Sequence, residues 1–175
     1  MIKIGISVSS SHTGFSPQDG ADRMVERARA ARQADLDSLF VGDHHVTPFP
    51  YFQNSVILAR MLNEWGEKPF GALYLLPLWH PIILAEQIAT LASLSRAPFI
   101  LQCGLGDDRQ GRAMGIDMKH KVGRFVSCLE IMRALWQGRS VEENRFWNIK
   151  AEQIAPLPSH EVEVWIGSVV EKAIK

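Results

Sequence analysis

Asp43, His44 and His45 close the apolar run in LDSLFVGDHHVTPFP (36–50), just ahead of two prolines. An imidazole titrates near neutrality, so a histidine at such a place suits proton transfer at working pH. Neighbours on an extended chain point to opposite sides, so at most one of the two rings can face a reactant without a bend. The other, with Asp43, would orient it or cap the next element. For a lone histidine at a strand end the plain reading is a backbone hydrogen bond. Here a second histidine and an aspartate bring the functional reading level with it.

Other residues able to do chemistry are sparser. CGLGDD (103–108) offers Gly104 and Gly106, which let backbone approach a flat ring or a phosphate. It lacks the third glycine of a dinucleotide fingerprint. Gly167-Ser168, ahead of a helical pattern, could cradle phosphate with free helix N–H groups, or could be a simple strand-to-helix turn. His80 reads as a helix-entry cap, and Trp79, Trp136, Trp147 and Trp165 as packing. His12, His120 and His160 read as exposed loop residues. A metal site is the weaker reading, because the first strand has no histidine and the later strand ends lack Lys or His. Cys103 and Cys128, the two cysteines of the chain, read as reduced core thiols.

The elements that must position these residues alternate. Short β-rich runs cover Ile2–Val8, Leu36–Val41, Phe70–Leu76, Phe99–Cys103 and Val162–Ile166. Between them, helical spacing covers Asp22–Ala34, Ser55–Trp65, the segment from His80-Pro81 through Leu94, and Gly123–Gln137. Val141–Ile149 reads as a small hairpin, and Ser168 onward as the start of a helix. Such alternation predicts a parallel sheet with helical crossovers, either an open doubly wound sheet or a barrel. EKAIK ends inside a helical pattern, and five strands fall short of the eight of a complete barrel, so the chain reads as the first part of one.

Composition narrows the function. The 175 residues are 46% hydrophobic and 22% charged, enough for one domain with a core. Lys+Arg and Asp+Glu are 19 each, so no basic excess favours nucleic acid. No apolar run reaches the length of a membrane span, and a reducing cytoplasm is the expected location.

In order and spacing, FVGDHHV, LLPLWHPIILAEQIATLASLS, ILQCGLG, EIMRALWQG and VWIGS resemble the bacterial luciferase-like, flavin-dependent oxidoreductases and monooxygenases. The resemblance runs from Ile2 to Ile174, and the acid-His-His run together with Leu-Pro-x-x-His-Pro is its specific part. It implies an α/β fold, a luciferase-like (β/α)8 TIM barrel of which about the first five βα units lie in residues 1–175, with a small hairpin inserted at 139–150. It implies a flavin-dependent enzyme acting on a small organic substrate with reduced FMN, or with the deazaflavin F420, at the C-terminal mouth. His44 would be the catalytic residue, assisting proton transfer. Ala72 and Leu73 would lie under the isoalloxazine with a non-prolyl cis peptide between them, Gly104 would line the cofactor, and Gly167 and Ser168 would take the phosphate. A flavin reductase as source of reduced cofactor, and a homodimer if the full barrel forms, go with the resemblance.

The chain also departs from that family. Cys103 stands where some members carry a basic residue for the phosphate; Arg109 is a nearby substitute. Gln102 falls at the place of the reactive thiol of those proteins. The strands that complete the substrate pocket are absent, so a non-catalytic flavin-binding paralogue and an inactive fragment stay open beside the enzyme.

Overall fold

The computed structural model describes residues 2–167. Five parallel strands form one sheet in the order β1 (Gly5–Val8), β2 (Ser38–Val41), β3 (Phe70–Leu75), β4 (Phe99–Gly104) and β7 (Glu163–Ile166). Helices α1 (Pro17–Gln33), α2 (Asn54–Trp65) and α3 (Pro81–Ser93) separate the first four strands. Between β4 and β7 lie a short α4 (Asp108–Ala113), α5 (Lys121–Trp136) and an antiparallel hairpin of β5 (Val141–Glu143) and β6 (Ile149–Ala151).

The helix starts follow from local chemistry. Ser16 caps α1, its hydroxyl accepting from the Asp19 amide at 3.1 Å, and Pro17 occupies a first-turn position where no N–H is needed. The helix therefore begins five residues before the apolar periodicity does. His80 precedes α3 at the cap position, but its side chain makes no capping bond, and Pro81 opens the helix instead. α4 was not legible as periodicity. Its signal is the capping box of Asp107 and Gln110, each side chain bonding the other's backbone N–H.

Register divides the strand residues between two faces. Leu39, Val41, Phe70, Ala72, Tyr74, Phe99, Leu101 and Cys103 all point to the helix layer and are at most 1% exposed. Ser7, Phe40, Gly71, Ile100 and Glu163 form one row of the opposite face, and Leu73, Gln102 and Trp165 the next. That second face is concave. Phe40 on β2 meets Trp165 on β7 with ring centroids 5.4 Å apart, whereas three flat inter-strand steps would separate them by roughly 14 Å. Gly71 lies beneath this closure, where a side chain would collide with the Ile100 carbonyl.

Candidate active site

The carboxyl ends of the parallel strands converge at one end of the concave face, and the Asp43-His44-His45 run lies there, directly after β2. Its three side chains part company. Asp43 is buried at 2% exposure. Its Oδ2 accepts from the Leu75 amide at 2.9 Å and the Trp79 indole at 2.8 Å. Its Oδ1 lies 3.1 Å from His45 Nε2, at ion-pair distance but off the hydrogen-bond line. His45 is tucked in beside it, edge-on to Trp79 with centroids 5.3 Å apart.

His44 points the other way, as alternation along an extended chain requires. It is exposed, and its ring packs on Tyr51 at 4.1 Å between centroids. Nε2 lies over the bare Cα of Gly42, where a Cβ would come within 3.4 Å of it. Neither ring nitrogen has a hydrogen-bond partner among the described residues. The support beneath is the 50–52 segment, tied to the chain after β1 by His12 N–H to the Pro50 carbonyl (3.0 Å) and Phe52 N–H to the Ser10 carbonyl (3.1 Å).

The end of β3 is held by side chains. Val41 opposite Ala72 is the last β2–β3 partner, so the ladder runs out before Leu73 and Leu75. A backbone group left there needs another partner. Asn54, at the start of α2, donates to the Leu73 carbonyl at 2.7 Å, and Asp43 takes the Leu75 amide. Arg124 of α5 donates to the Pro77 carbonyl at 3.2 Å and lies 4.4 Å over the Trp147 ring.

The remaining expected residues are placed unevenly. Leu73 and Gly104 lie on the concave face, but the space over Gly104 is taken by Leu75 Cδ2 and Leu73 Cδ1, 3.0 and 3.4 Å from where its Cβ would be. The leucines form an apolar floor in place of bare backbone. Ala72 points away, into the helix-side core, so only its backbone can reach the concave side. The Ala72–Leu73 peptide is not cis; the cis bond among the described residues is Ala155–Pro156. The reason is regular pairing, with Ala72 and Leu73 held opposite Leu101 and Gln102 in an unbroken ladder. Gly167 sits in open space beyond β7, and its amide donates to the Cys103 carbonyl at 3.4 Å, toward the sheet. Ser168 lies outside the described residues. Arg109 is engaged elsewhere, donating to the Val46 carbonyl.

Protonation separates the candidates further. Burial raises the Tyr74 phenol well above its ordinary range, against a weaker opposing hydrogen bond from Ser55, so it stays protonated. Burial pushes the Cys103 thiol up to about 12 and raises Cys128 as well, so neither is a thiolate at neutral pH. No group of three His, Cys, Asp or Glu that could hold a metal occurs among the described residues. No helix among them is long and apolar enough to cross a membrane.

Comparison with known proteins locates this arrangement. A family model described as luciferase-like monooxygenase matches residues 2–175. F420-dependent glucose-6-phosphate dehydrogenase of Mycobacterium avium is 25% identical over 179 residues, covering 95% of this chain and 52% of that protein. The oxygenase component of the flavin-dependent trigonelline monooxygenase of Acinetobacter baylyi is 22% identical over 154 residues, covering 84% of this chain and 43% of its own. The chain thus spans about half the length of these curated relatives. Among solved structures, the oxygenating constituent of 3,6-diketocamphane monooxygenase from Pseudomonas putida, in complex with FMN, superposes with a TM-score of 0.81 at 20% identity. It matches over 94% of this chain and 50% of that one. An F420-dependent secondary alcohol dehydrogenase superposes with a TM-score of 0.77 at 19% identity, over 94% and 51% of the two chains.

Proposed function

Since the chain belongs to the luciferase-like monooxygenase family, with the fold of the first half of its (β/α)8 barrel, we propose that it binds reduced FMN or F420 at the concave mouth. There it serves oxidation or oxygenation of a small organic molecule. Both cofactor types occur among its relatives, which include flavin-dependent and F420-dependent enzymes. A flat ring system fits the residues present: Leu73 and Leu75 offer an apolar floor beside Gly104, and the free His44 ring stands at the rim. The observation that carries the reading is the division of labour between the histidines. His45 is half-buried against Asp43, while His44 keeps both ring nitrogens available.

When bound, such a cofactor supplies the hydride or the electrons for oxygen; the protein supplies position and protons. His44 holds or delivers a proton from a free ring nitrogen, on a ring steadied by Tyr51. Leu73 and Leu75 keep water from one side. Gly167, in open space beyond β7, and Ser168 take the phosphate end. A separate reductase supplies reduced flavin, the active form is a homodimer, and the protein works in the cytoplasm.

The test is anaerobic titration of the full chain with reduced FMN and with F420, followed by stopped-flow mixing with oxygen or a small carbonyl or alcohol panel. His44→Ala is expected to slow the chemical step by about 10²–10⁴-fold while leaving cofactor affinity nearly unchanged. Equal rates in the two proteins would remove His44 from the mechanism. Binding without substrate-dependent turnover would favour a flavin-binding protein over an enzyme, and no binding of either cofactor would overturn the whole reading.

A further inference from the structure

We propose that Asp43 is the positioning residue of the mouth, setting at once the floor beside Gly104 and the outward aim of His44. One buried carboxylate serves three partners from different places in the chain. Oδ2 gathers the Leu75 amide, which has lost its ladder partner beyond Val41, and the Trp79 indole from the turn after β3. Oδ1 faces His45. An acceptor shared between two N–H donors is a place for a carboxylate, because bonds to an ionised acceptor are the strong ones.

The effect on His44 follows from backbone geometry. His45 is drawn inward against Asp43 and Trp79, and its neighbour on an extended chain must then point outward. Val46, next in line, has φ of 45°, a left-handed conformation that a β-branched residue rarely adopts, and it turns the chain immediately after the pair. The inward-turned His45 therefore aims the exposed His44.

The effect on the floor works through β3. Leu73 and Leu75 are two residues apart on the concave side, and both have a backbone group bonded by a side chain from elsewhere: the Leu73 carbonyl by Asn54, the Leu75 amide by Asp43. Arg124 secures the same segment farther on, at Pro77. Asp43 differs from these two because it alone also touches the residue beside His44. It is the point at which floor and proton donor are held in common.

This role rests on the proposed function of the mouth, so the experiment reads the latch and its consequence separately. In the full chain, Asp43→Asn keeps shape but gives up charge and turns one acceptor into a donor. Amide exchange at Leu75 is expected to accelerate about tenfold or more, with Leu101 amide exchange unchanged, and the Trp79 indole N–H resonance is expected to shift. These readouts need no cofactor, and they stand or fall even if wild-type protein binds none. Trp79→Phe, which removes one donor and keeps an aromatic ring, is expected to leave Leu75 protected, and serves if Asp43→Asn fails to fold. Rapid Leu75 exchange in Trp79→Phe would then show that the indole, not the carboxylate, holds the turn, and would overturn the proposal. Unchanged Leu75 exchange and indole resonance in Asp43→Asn would do the same. With cofactor, Asp43→Asn is expected to weaken reduced-flavin or F420 binding and to lower the His44-dependent rate together. A loosened Leu75 with wild-type affinity and rate would reduce Asp43 to a structural residue, and the positioning role would fall.

Discussion

The outer and concave faces of the sheet are made from alternate residues of the same strands, yet they are finished differently. Outward, Leu39, Phe70, Phe99 and Leu101 disappear under α2, α3 and α5 in one continuous cluster. Inward, apolar and polar residues mix, as Ser7, Gln102 and Glu163 share rows with Phe40, Ile100 and Trp165. A cavity of about 740 Å³ opens at the amino ends of the strands, among Gly5, Ser38, Pro69, Pro98 and Glu163, at the far end of that face from the mouth. Trp165 remains 43% exposed despite its contact with Phe40. The outer face stabilises the fold, and the concave face is the one to which the proposed function assigns binding and reaction. Asp43 stands at the seam, with its backbone following β2 and its carboxylate reaching the end of β3.

The contrast is tested most strongly on the outer face. Leu101→Ala removes a fully buried side chain from the helix-side cluster, and is expected to cost about 2–5 kcal/mol of unfolding free energy. Urea denaturation would show it as a lower midpoint at unchanged slope. A loss below about 1 kcal/mol would mean that the helix layer is not the close-packed core described above.

The apolar runs made the strands themselves legible in the sequence, but not the division of their residues between two faces. The strands from Ser38, Phe70 and Phe99 fall within a few residues of where the apolar runs predict them. β1 is shorter than its run, because Ile2 and Ile4 lie outside the paired register and are 88% and 59% exposed. α1 starts early because its first turn, Pro17 to Gly20, carries capping chemistry and no apolar stripe; the Ser16–Asp19 spacing was its visible signal. At the site, alternation alone showed that His44 and His45 diverge. Alternation could not say which one turns outward, since that depends on Asp43 meeting Leu75 and Trp79 more than thirty residues away; only the family resemblance pointed to His44. Trp79 reads as packing from composition, and packs against Tyr74 and His45, but its indole N–H is also a latch. Asn54 gave no signal, because an asparagine before a helix reads as a cap; here its amide serves β3.

Trp165→Ala sharpens the comparison from the other side. It removes an aromatic contact on a half-open face, where the pair contributes on the order of 1 kcal/mol beyond area. The expected loss is about 1 kcal/mol by the same urea measurement, well below that of Leu101→Ala. Two equal losses would erase the distinction between the faces and make the concave side a structural core in its own right.

The smallest expected effect lies in the β5–β6 hairpin, which reaches the closed side through Ile149. Its turn is organised by a carboxylate, as the mouth is, but by a far more accessible one. Glu143 accepts from the backbone N–H groups of Arg145, Phe146 and Trp147 at 2.9–3.1 Å. Partial burial alone would raise its pKa, but those bonds, with Arg124 nearby, outweigh it and hold the carboxyl below its ordinary value of 4.5. A group depressed on folding contributes stability that is fully present above its unfolded pKa and is lost as pH falls through the folded one. Exchange of the Arg145–Trp147 amides, corrected for intrinsic rate, should therefore stay flat from neutrality to about pH 5 and rise below 4.5. In Glu143→Gln the protection should be weaker at neutral pH and lack that acid step. If the variant keeps the step, another group controls the turn. If acid instead releases Leu101 together with the hairpin, the two sides of the molecule unfold as one unit, and the separation between them is not energetic.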